Sequence, residues 1–324
     1  MSKPLRYVNA IAQALSDAMT DDPSVMLFGE DVAAAGGPFK ATRGLLDTHG
    51  PERVRDTPIS EASIVGAAVG AALTGMKPVV EIMFMDFVAL AMDAVVNQAA
   101  KARFMFGGQC SVPMVLRTPH GGGLNAGPQH SQCLEAWFAH IPGLRVVCPA
   151  TVADAYSLLR ASIEAPDPVV FVENKALYAL QGDIDVNAPR EIGKARIDRP
   201  GRHVTIVTYG ATLYAARAAA DRLAQDGVEA EIIDLRWIQP WDEEAVFASV
   251  AKTHRVVIAH EAVQAFGVGA EIAARIASDL FDELDAPVLR VGAPFMPIPF
   301  AKSLEAAYLP DADRIVAAVK DTLA

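Results

Sequence analysis

The chain of 324 residues carries 39 acidic and 28 basic side chains, which gives a formal net charge of −11. Apolar residues make up 52 % and charged residues 21 %; this excludes disorder, and the usual domain size predicts two domains. The acidic excess argues against nucleic acid or an anionic membrane as the main partner. Three cysteines are too few for a disulfide framework, so we expect reduced thiols and a cytoplasmic protein. We expect neither a secretory signal at residues 1–6 nor a membrane-spanning helix.

Short apolar strands alternate with helices along the first half of the chain. In chain order the pattern predicts a helix at 7–20, a strand at 25–28, a helix at 60–75, a strand at 78–84, a helix at 87–101, strands at 113–117 and 144–148, a helix from 151, and a strand at 168–173. Thr151 and Asp154 have the spacing of a capping box, in which side-chain oxygens satisfy the free amides of a helix start.

Residues 174–202 break this alternation with prolines, glycine and few apolar runs, which indicates a domain boundary. The alternation then resumes, with strands at 203–209, 228–235, 255–260 and 287–291 and helices at 211–226, 242–252, 268–284 and from about 311. The sequence thus predicts an α/β protein of two tandem domains, each a mainly parallel sheet covered by helices. We place the first domain at 1–185, a linker at 186–202 and the second domain at 203–324.

The glycine-rich loops do not match the motifs of several common enzyme classes. Residues 121–127 have the wrong glycine spacing for a dinucleotide fingerprint, and Gly267 and Gly269 lack the third glycine. The chain has no Walker loop, no GxSxG elbow and no HExxH motif. A nicotinamide-dependent oxidoreductase and a serine hydrolase are therefore disfavoured.

Glu61 stands where a loop stiffened by proline turns into a helix of alanine, glycine and valine. The commoner role of such a residue is to complement the helix dipole. Gly66 and Gly70 in the same helix predict a tightly packed contact, because glycine costs about 1 kcal/mol relative to alanine in a helix interior. A carboxylate at the edge of a buried contact is also a candidate for proton chemistry, because desolvation raises its pKa. Both interpretations stay open at this point.

Two further segments carry candidate site residues. Met83, Phe84 and Phe87 lie where a predicted strand gives way to a helix. They are either ordinary core, the preferred interpretation for Phe84, or a clamp on the face of a flat heterocycle. His130 lies in the polar loop Gly127-Pro128-Gln129-His130-Ser131-Gln132, where a histidine is suited to moving protons near neutral pH.

These segments resemble the beta subunit of the thiamine-diphosphate-dependent decarboxylase component of 2-oxoacid dehydrogenase complexes. The resemblance covers essentially the whole chain. It rests on Gly29-Glu30-Asp31-Val32, residues 56–61 and 81–87, Gln129-His130-Ser131-Gln132, Pro142-Gly143-Leu144, Pro168-Val169-Val170-Phe171 and Pro297-Ile298-Pro299-Phe300. It implies a thiamine-diphosphate pyrimidine-binding domain followed by a transketolase C-terminal-like domain.

The resemblance also implies a role for each candidate residue. Glu61 would bond a ring nitrogen of the cofactor's aminopyrimidine and favour its imino tautomer, which removes the proton from the thiazolium carbon. Met83 and Phe87 would line the aminopyrimidine, and Glu30 would be a second acid near Glu61. His130 would lie near the thiazolium, help to position the substrate and pass the acyl group to a lipoyl arm.

Partners and metals follow from the same resemblance. The family holds the cofactor's diphosphate through Mg²⁺ and a GDG-to-Asn motif that this chain lacks. An alpha subunit is therefore expected to supply that half of the site in an α₂β₂ heterotetramer. The second domain of this chain is expected to dock onto a dihydrolipoyl acyltransferase core with its lipoyl domain. Some members bind a structural K⁺ with backbone carbonyls near the positions of Met114 and of Ser162 to Asp167, and Ala165 stands here where relatives carry aspartate.

The implied activity is oxidative decarboxylation of a 2-oxoacid with acyl transfer to lipoamide. Residues 129–133 resemble pyruvate-specific members, which makes pyruvate the leading substrate. Residues 84–87 and 103–108 resemble acetoin-cleaving relatives, so an acetoin dehydrogenase beta subunit is the alternative. A branched-chain 2-oxoacid dehydrogenase and a non-catalytic assembly subunit are further alternatives.

Overall fold

The computed structural model describes residues 4–324, which form two compact units. The first unit comprises the chain up to His120 together with Trp137–Ile192, and the second comprises Gly121–Ala136 with Gly193–Ala324. Residues 1–3, part of the predicted first domain and of the segment expected to lack a secretory signal, lie outside the described residues. The segment Gly121–Ala136 groups with the second unit, although it falls inside the first domain of the sequence-based division.

The first part of the chain alternates strands and helices. Up to residue 182 the elements are β1 (Leu5–Arg6), α1 (Tyr7–Asp21), β2 (Val25–Gly29), α2 (Leu45–His49), β3 (Val54–Asp56), α3 (Glu61–Leu73), β4 (Lys77–Glu81), α4 (Met85–Val88), α5 (Ala100–Met105), β5 (Val115–His120), α6 (Glu135–Ala139), β6 (Arg145–Val147), α7 (Val152–Glu164), β7 (Val169–Asn174) and β8 (Gln181–Gly182).

A parallel sheet forms the centre of the first unit. Six of its strands lie in the order β6-β7-β5-β4-β2-β3, with every pairing parallel. The inner strands β5 and β7 are buried along their whole length, as expected for a sheet covered on both faces. Gly29 at the end of β2 pairs with Asp56 at the end of β3 and with Glu81 at the end of β4. Three neighbouring strands therefore end side by side at one edge of the sheet.

The second part of the chain repeats the alternation. After residue 182 the elements are β9 (Arg196–Arg199), β10 (Val204–Thr208), α8 (Thr212–Gln225), β11 (Ala230–Asp234), β12 (Trp237–Gln239), α9 (Glu243–Thr253), β13 (Val256–Val263), α10 (Val268–Asp279), β14 (Leu289–Ala293), α11 (Lys302–Tyr308) and α12 (Ala312–Leu323). The second unit has a five-stranded sheet in the order β14-β13-β10-β11-β9. Its strands are parallel except for the edge strand β9, which runs antiparallel to β11 and lies within the predicted linker 186–202.

The predicted α/β class with mainly parallel sheets is confirmed, while several details differ. The continuous helix predicted at 87–101 is wrong, because a 3-10 turn (Ala89–Ala91) and a π-helical segment (Ala94–Ala99) separate α4 from α5. Several short elements were not predicted, namely β1, α2, β3, β8, β9, β12 and α11. One half of the capping box is confirmed: Thr151 Oγ1 accepts the backbone N–H of Asp154 at 3.1 Å. The Asp154 carboxylate accepts the Thr151 hydroxyl at 2.6 Å.

Between residues 4 and 324 no helix combines the length and the apolar character that crossing a bilayer requires.

Candidate active site

Three of the predicted site residues lie at the carboxyl ends of neighbouring strands in the first unit. Glu30 directly follows β2, and Met83 follows the end of β4 by two residues. Glu61 is the first residue of α3, which begins after the short loop that leaves β3. Because β3, β2 and β4 are adjacent and end in register, these residues meet at one edge of the sheet, where ligands bind in folds of this class.

Two neighbouring acids influence Glu30 at this edge. Burial is the main cause that raises the pKa of Glu30, and the negative charges of Asp31 and Glu61 raise it further. Glu61 is half-buried in the first turn of α3, where the exposed amides of the helix start favour a negative charge. A pair of interacting carboxylates, one with a raised pKa, is suited to holding and moving a proton at this edge.

Aromatic side chains form a wall that includes Phe84 and Phe87, which follow the end of β4. Phe84 packs edge-on against Phe87 and against Phe39, with ring centroids 5.7 Å apart in both pairs. Phe39 continues the cluster to Tyr178 at 5.2 Å. Met83, Phe84 and Phe87 are half-buried, so each keeps part of its surface open. The arrangement offers thioether and ring surfaces to a flat heterocycle, and it places Phe84 within the wall instead of the core.

A buried ion cluster, made of Glu81, Arg117, Glu173 and Tyr178, lies at the same end of the sheet. Arg117 donates to both oxygens of Glu173 at 2.8 and 3.0 Å and to Glu81 at 2.8 Å. The Tyr178 hydroxyl donates to Glu173 at 2.8 Å. Burial raises the pKa of Glu173 and, together with the charge of Glu173, raises the pKa of Tyr178 well above its usual value.

Sequence reasoning missed the ion cluster, although a signal was present. Glu81, Arg117 and Glu173 each directly follow a run of apolar residues in a buried part of a strand. Because β4, β5 and β7 are neighbours, the three side chains meet and cross-link the strand ends. A fully bonded buried network of this kind fixes geometry, so the ion cluster gives the site a rigid floor.

The structure places His130 in the second unit. It lies in Gly121–Ala136, is half-buried, and its backbone N–H donates to the Gly127 carbonyl at 3.2 Å. Beside it a cavity of about 410 Å³ is lined by Pro128, Ser131 and Gln132 from the same segment and by the aromatic ring of Tyr308. Burial raises the pKa of Tyr308 to about 12, with smaller contributions from Cys133 and Glu261.

Within the described residues the tight contact predicted around Gly66 and Gly70 is not made by this chain itself, so the contact stays a prediction. Both glycines are exposed, and no atom lies within 4 Å of the position that a Cβ would take. The buried face of α3 is instead the opposite one, formed by Ile64, Val65, Ala68, Val69 and Ala72. The face of small residues therefore stays accessible on this chain.

The segments predicted to hold K⁺ do come together, but their polar groups are already engaged. Asp167 accepts from Arg103 at 2.6 Å and from Arg145 at 2.9 Å, and two guanidinium groups disfavour a cation at that carboxylate. The carbonyls of Met114 and Ser162 accept the backbone N–H groups of Val169 and Ala165. Asp167 therefore does not fit as a side-chain ligand, and the K⁺ site stays a prediction.

Comparisons with known proteins agree with this architecture. The chain matches the family "Transketolase, pyrimidine binding domain" over residues 3–181 and "Transketolase, C-terminal domain" over residues 193–315. A solved structure described as split-gene transketolase, an inactive beta4 tetramer, shares the fold with a TM-score of 0.81 at 23 % identity, covering 98 % of both chains.

Curated relatives are closer in sequence. Pyruvate dehydrogenase E1 component subunit beta-2, mitochondrial, of Oryza sativa is 46 % identical over 98 % of this chain and 86 % of its own length. The beta subunit of acetoin:2,6-dichlorophenolindophenol oxidoreductase of Cupriavidus necator is 43 % identical over 100 % of this chain and 98 % of its own length. The resemblance derived from the sequence is thereby confirmed. The chain belongs to the transketolase-like family that includes the beta subunits of pyruvate dehydrogenase E1 and of acetoin oxidoreductase.

Proposed function

We propose that this chain is the beta subunit of a thiamine-diphosphate-dependent 2-oxoacid dehydrogenase, acting on pyruvate and passing the acyl group to lipoamide. The observation that carries the proposal is the meeting of Glu30, Glu61 and Met83 at the ends of three adjacent strands, next to the wall that contains Phe87. The pyruvate dehydrogenase relative of rice, 46 % identical, supports the same activity.

The residues present fit the aminopyrimidine end of the cofactor. A planar ring with nitrogen acceptors needs a proton-holding acid at its edge and apolar surfaces on its faces. Glu61, with Glu30 beside it, supplies the acid, and Met83 and Phe87 supply the surfaces. When bound, thiamine diphosphate supplies the electron sink for decarboxylation of a 2-oxoacid.

The chain's own groups prepare this chemistry. Glu61 would hold a proton at a ring nitrogen of the cofactor, and Glu30, whose pKa is raised by burial and by the charges of Asp31 and Glu61, would keep a second proton available at this edge. The wall of Phe39, Phe84 and Phe87 excludes water from the ring faces. In the second unit, His130 acts on the acyl group and its transfer to the lipoyl arm.

We assign the diphosphate and Mg²⁺ to an alpha subunit in an α₂β₂ assembly, which in turn serves a dihydrolipoyl acyltransferase core. Two exposed surfaces of the first unit support a partner chain. One is the small-residue face of α3 around Gly66 and Gly70. The other is the run Phe104, Met105 and Phe106, with 87, 62 and 53 % of the residues' surface exposed. We also propose the cytoplasm as the compartment, supported by the low cysteine content.

Acetoin cleavage is the second candidate. The acetoin oxidoreductase beta subunit of Cupriavidus necator matches this chain over 98 % of its own length, a fuller match than the rice relative gives. The two activities share the cofactor chemistry and differ in the donor molecule.

The test uses the tagged chain, purified from its own host with the proteins that accompany it. Dye reduction is measured with pyruvate and with acetoin, with and without thiamine diphosphate and Mg²⁺. Glu61→Gln is expected to leave the complex assembled and to lower turnover by at least about 100-fold, because general acid–base catalysis typically contributes at least that factor to the rate. Glu52→Gln, at a highly exposed carboxylate of the same unit, is the control and should leave turnover unchanged. Full turnover in Glu61→Gln would contradict the mechanism, and an inactive wild-type complex would indicate a non-catalytic subunit.

A further inference from the structure

Backbone amides of the loop that carries His130 are held by carboxylates of the second unit. The Gly122 N–H donates to Glu261 at 2.6 Å. The Asn125 N–H is shared by the two carboxylate oxygens of Glu305 at 3.1 and 3.2 Å. Glu261 belongs to β13 and the buried Glu305 to α11, so the first half of the loop is tied to two separate elements.

Two more contacts fix the loop on either side of the histidine. The ring of Phe300 packs so closely on Gly127 that a Cβ at that position would overlap it. Glu135 is fully buried and accepts the Tyr209 hydroxyl at 2.8 Å. Tyr209 in turn stacks on the buried His260, with ring centroids 5.9 Å apart. His130 therefore lies between the Glu305 and Tyr209 anchors.

These anchors are strong for physical reasons. A hydrogen bond to an ionised carboxylate is roughly twice as strong as one between neutral groups. Glu305 and Glu135 are buried, so water does not compete for their oxygens. Loops without such ties are the mobile parts of a domain. Chemistry at a loop residue requires a fixed geometry, because a misplacement of about 1 Å costs roughly 100-fold in rate.

We propose that Glu305 and Tyr209 are positioning residues that hold His130 in place, so that the second domain takes part in acyl transfer through this loop. The inference rests on the proposed function, in which His130 serves transfer of the acyl group to lipoamide. Removal of an anchor should then impair lipoamide-coupled turnover more than dye-coupled turnover, which bypasses the lipoyl arm.

The experiment compares the two activities in the assembled complex. His130→Ala gives the full loss of lipoamide-coupled turnover. Glu305→Ala is expected to lose roughly 10- to 100-fold of that activity, with dye-coupled turnover within about 3-fold of wild type. Glu305→Gln should recover most of the loss, because an amide oxygen still accepts the Asn125 N–H. Tyr209→Phe removes only the hydroxyl and keeps the ring packing; it leaves the buried Glu135 carboxylate without that donor, so it should lower the melting temperature and lower lipoamide-coupled turnover more than dye-coupled turnover.

The double variant and a matched control separate positioning from general destabilisation. His130→Ala combined with Glu305→Ala should be no worse than His130→Ala alone. Asp242→Ala is the control, since Asp242 also accepts two backbone N–H groups in the second unit, those of Ala245 and Ala195. It should lower the melting temperature and leave the ratio of the two activities unchanged. Equal losses of both activities in Glu305→Ala, or additive losses in the double variant, would overturn the inference. Unchanged lipoamide turnover in His130→Ala would instead overturn the proposed role of His130, and the inference with it.

Discussion

Replacing Arg117 with methionine tests whether the ion cluster forms the floor of the site. Arg117 is 1 % exposed and makes three hydrogen bonds to the carboxylates of Glu81 and Glu173, which are themselves buried. Methionine fills similar space without a charge. The variant therefore leaves two buried carboxylates facing each other with no cation between them.

The expected cost follows from that geometry. Breaking a buried ion pair by removing one partner costs about 3–5 kcal/mol, because the remaining charge is uncompensated. At about 2–4 °C per kcal/mol for a domain of this size, the melting temperature should fall by roughly 6–20 °C. Arg160→Met is the matched control. Its partners Asp21 and Glu164 are 63 and 45 % exposed and stay hydrated when the arginine is removed, so we expect a loss of about 1 kcal/mol or less.

The pH dependence gives a second readout of the same prediction. The charge of Arg117 lowers the pKa of Glu173, whereas burial and Glu81 raise it. Without Arg117 the pKa of Glu173 rises further above its ordinary value of 4.5. A raised carboxyl pKa destabilises the fold above the folded-state pKa, and this cost disappears as the group is protonated at lower pH. The deficit of Arg117→Met should therefore be larger at pH 8 than at pH 5. Scanning calorimetry at both values measures it, and a melting temperature within about 2 °C of wild type at pH 8 would refute the reasoning.

Two further predictions concern single positions. Burial and the charges of Asp31 and Glu61 raise the pKa of Glu30 above 4.5, so Glu30→Gln should raise the melting temperature at pH 8. This gain should become smaller as the pH is lowered toward 4.5, and a gain that does not depend on pH would contradict the electrostatic cause. Gly127→Ala should lower the melting temperature of the protein more than Gly227→Ala does. Both glycines have a left-handed backbone (φ +78° and +79°), but only Gly127 packs against Phe300. Equal falls in melting temperature would show that the contact with Phe300 is not the cause.

Sequence periodicity predicted the alternation of strands and helices well, because buried parallel strands and amphipathic helices leave strong local patterns. It failed where local pattern carries no information. The helix predicted at 87–101 is interrupted by a π-helical segment, Ala94–Ala99, whose apolar composition resembles that of an ordinary helix. The exposed face around Gly66 and Gly70 could not be placed either, because small residues indicate close packing without naming the chain that provides it.

The site illustrates the same limit. Glu61 and Met83 were predicted because one begins a recognisable helix and the other follows a recognisable strand, whereas Glu30 was predicted through the family resemblance. The anchors of the His130 loop were not, since Glu261 and Glu305 lie 139 and 180 residues along the chain from the amides that they hold. Contacts at that separation depend on how the second unit folds, and no local pattern encodes them.

The acids at the sheet edge also argue for function on energetic grounds. Glu30 lies next to Asp31 and within the electrostatic influence of Glu61, an arrangement that raises its pKa and works against folding at neutral pH. Glu231, by contrast, gains from its surroundings, because hydrogen bonds from Lys252 and Ser249 outweigh its burial and lower its pKa. Residues whose charged form is destabilised by their surroundings are typical of catalytic sites, where the reaction requires the shifted pKa. If so, Glu30→Gln and Glu61→Gln should separate the two properties: the first should stabilise the fold at pH 8, and the second should abolish turnover without unfolding the protein.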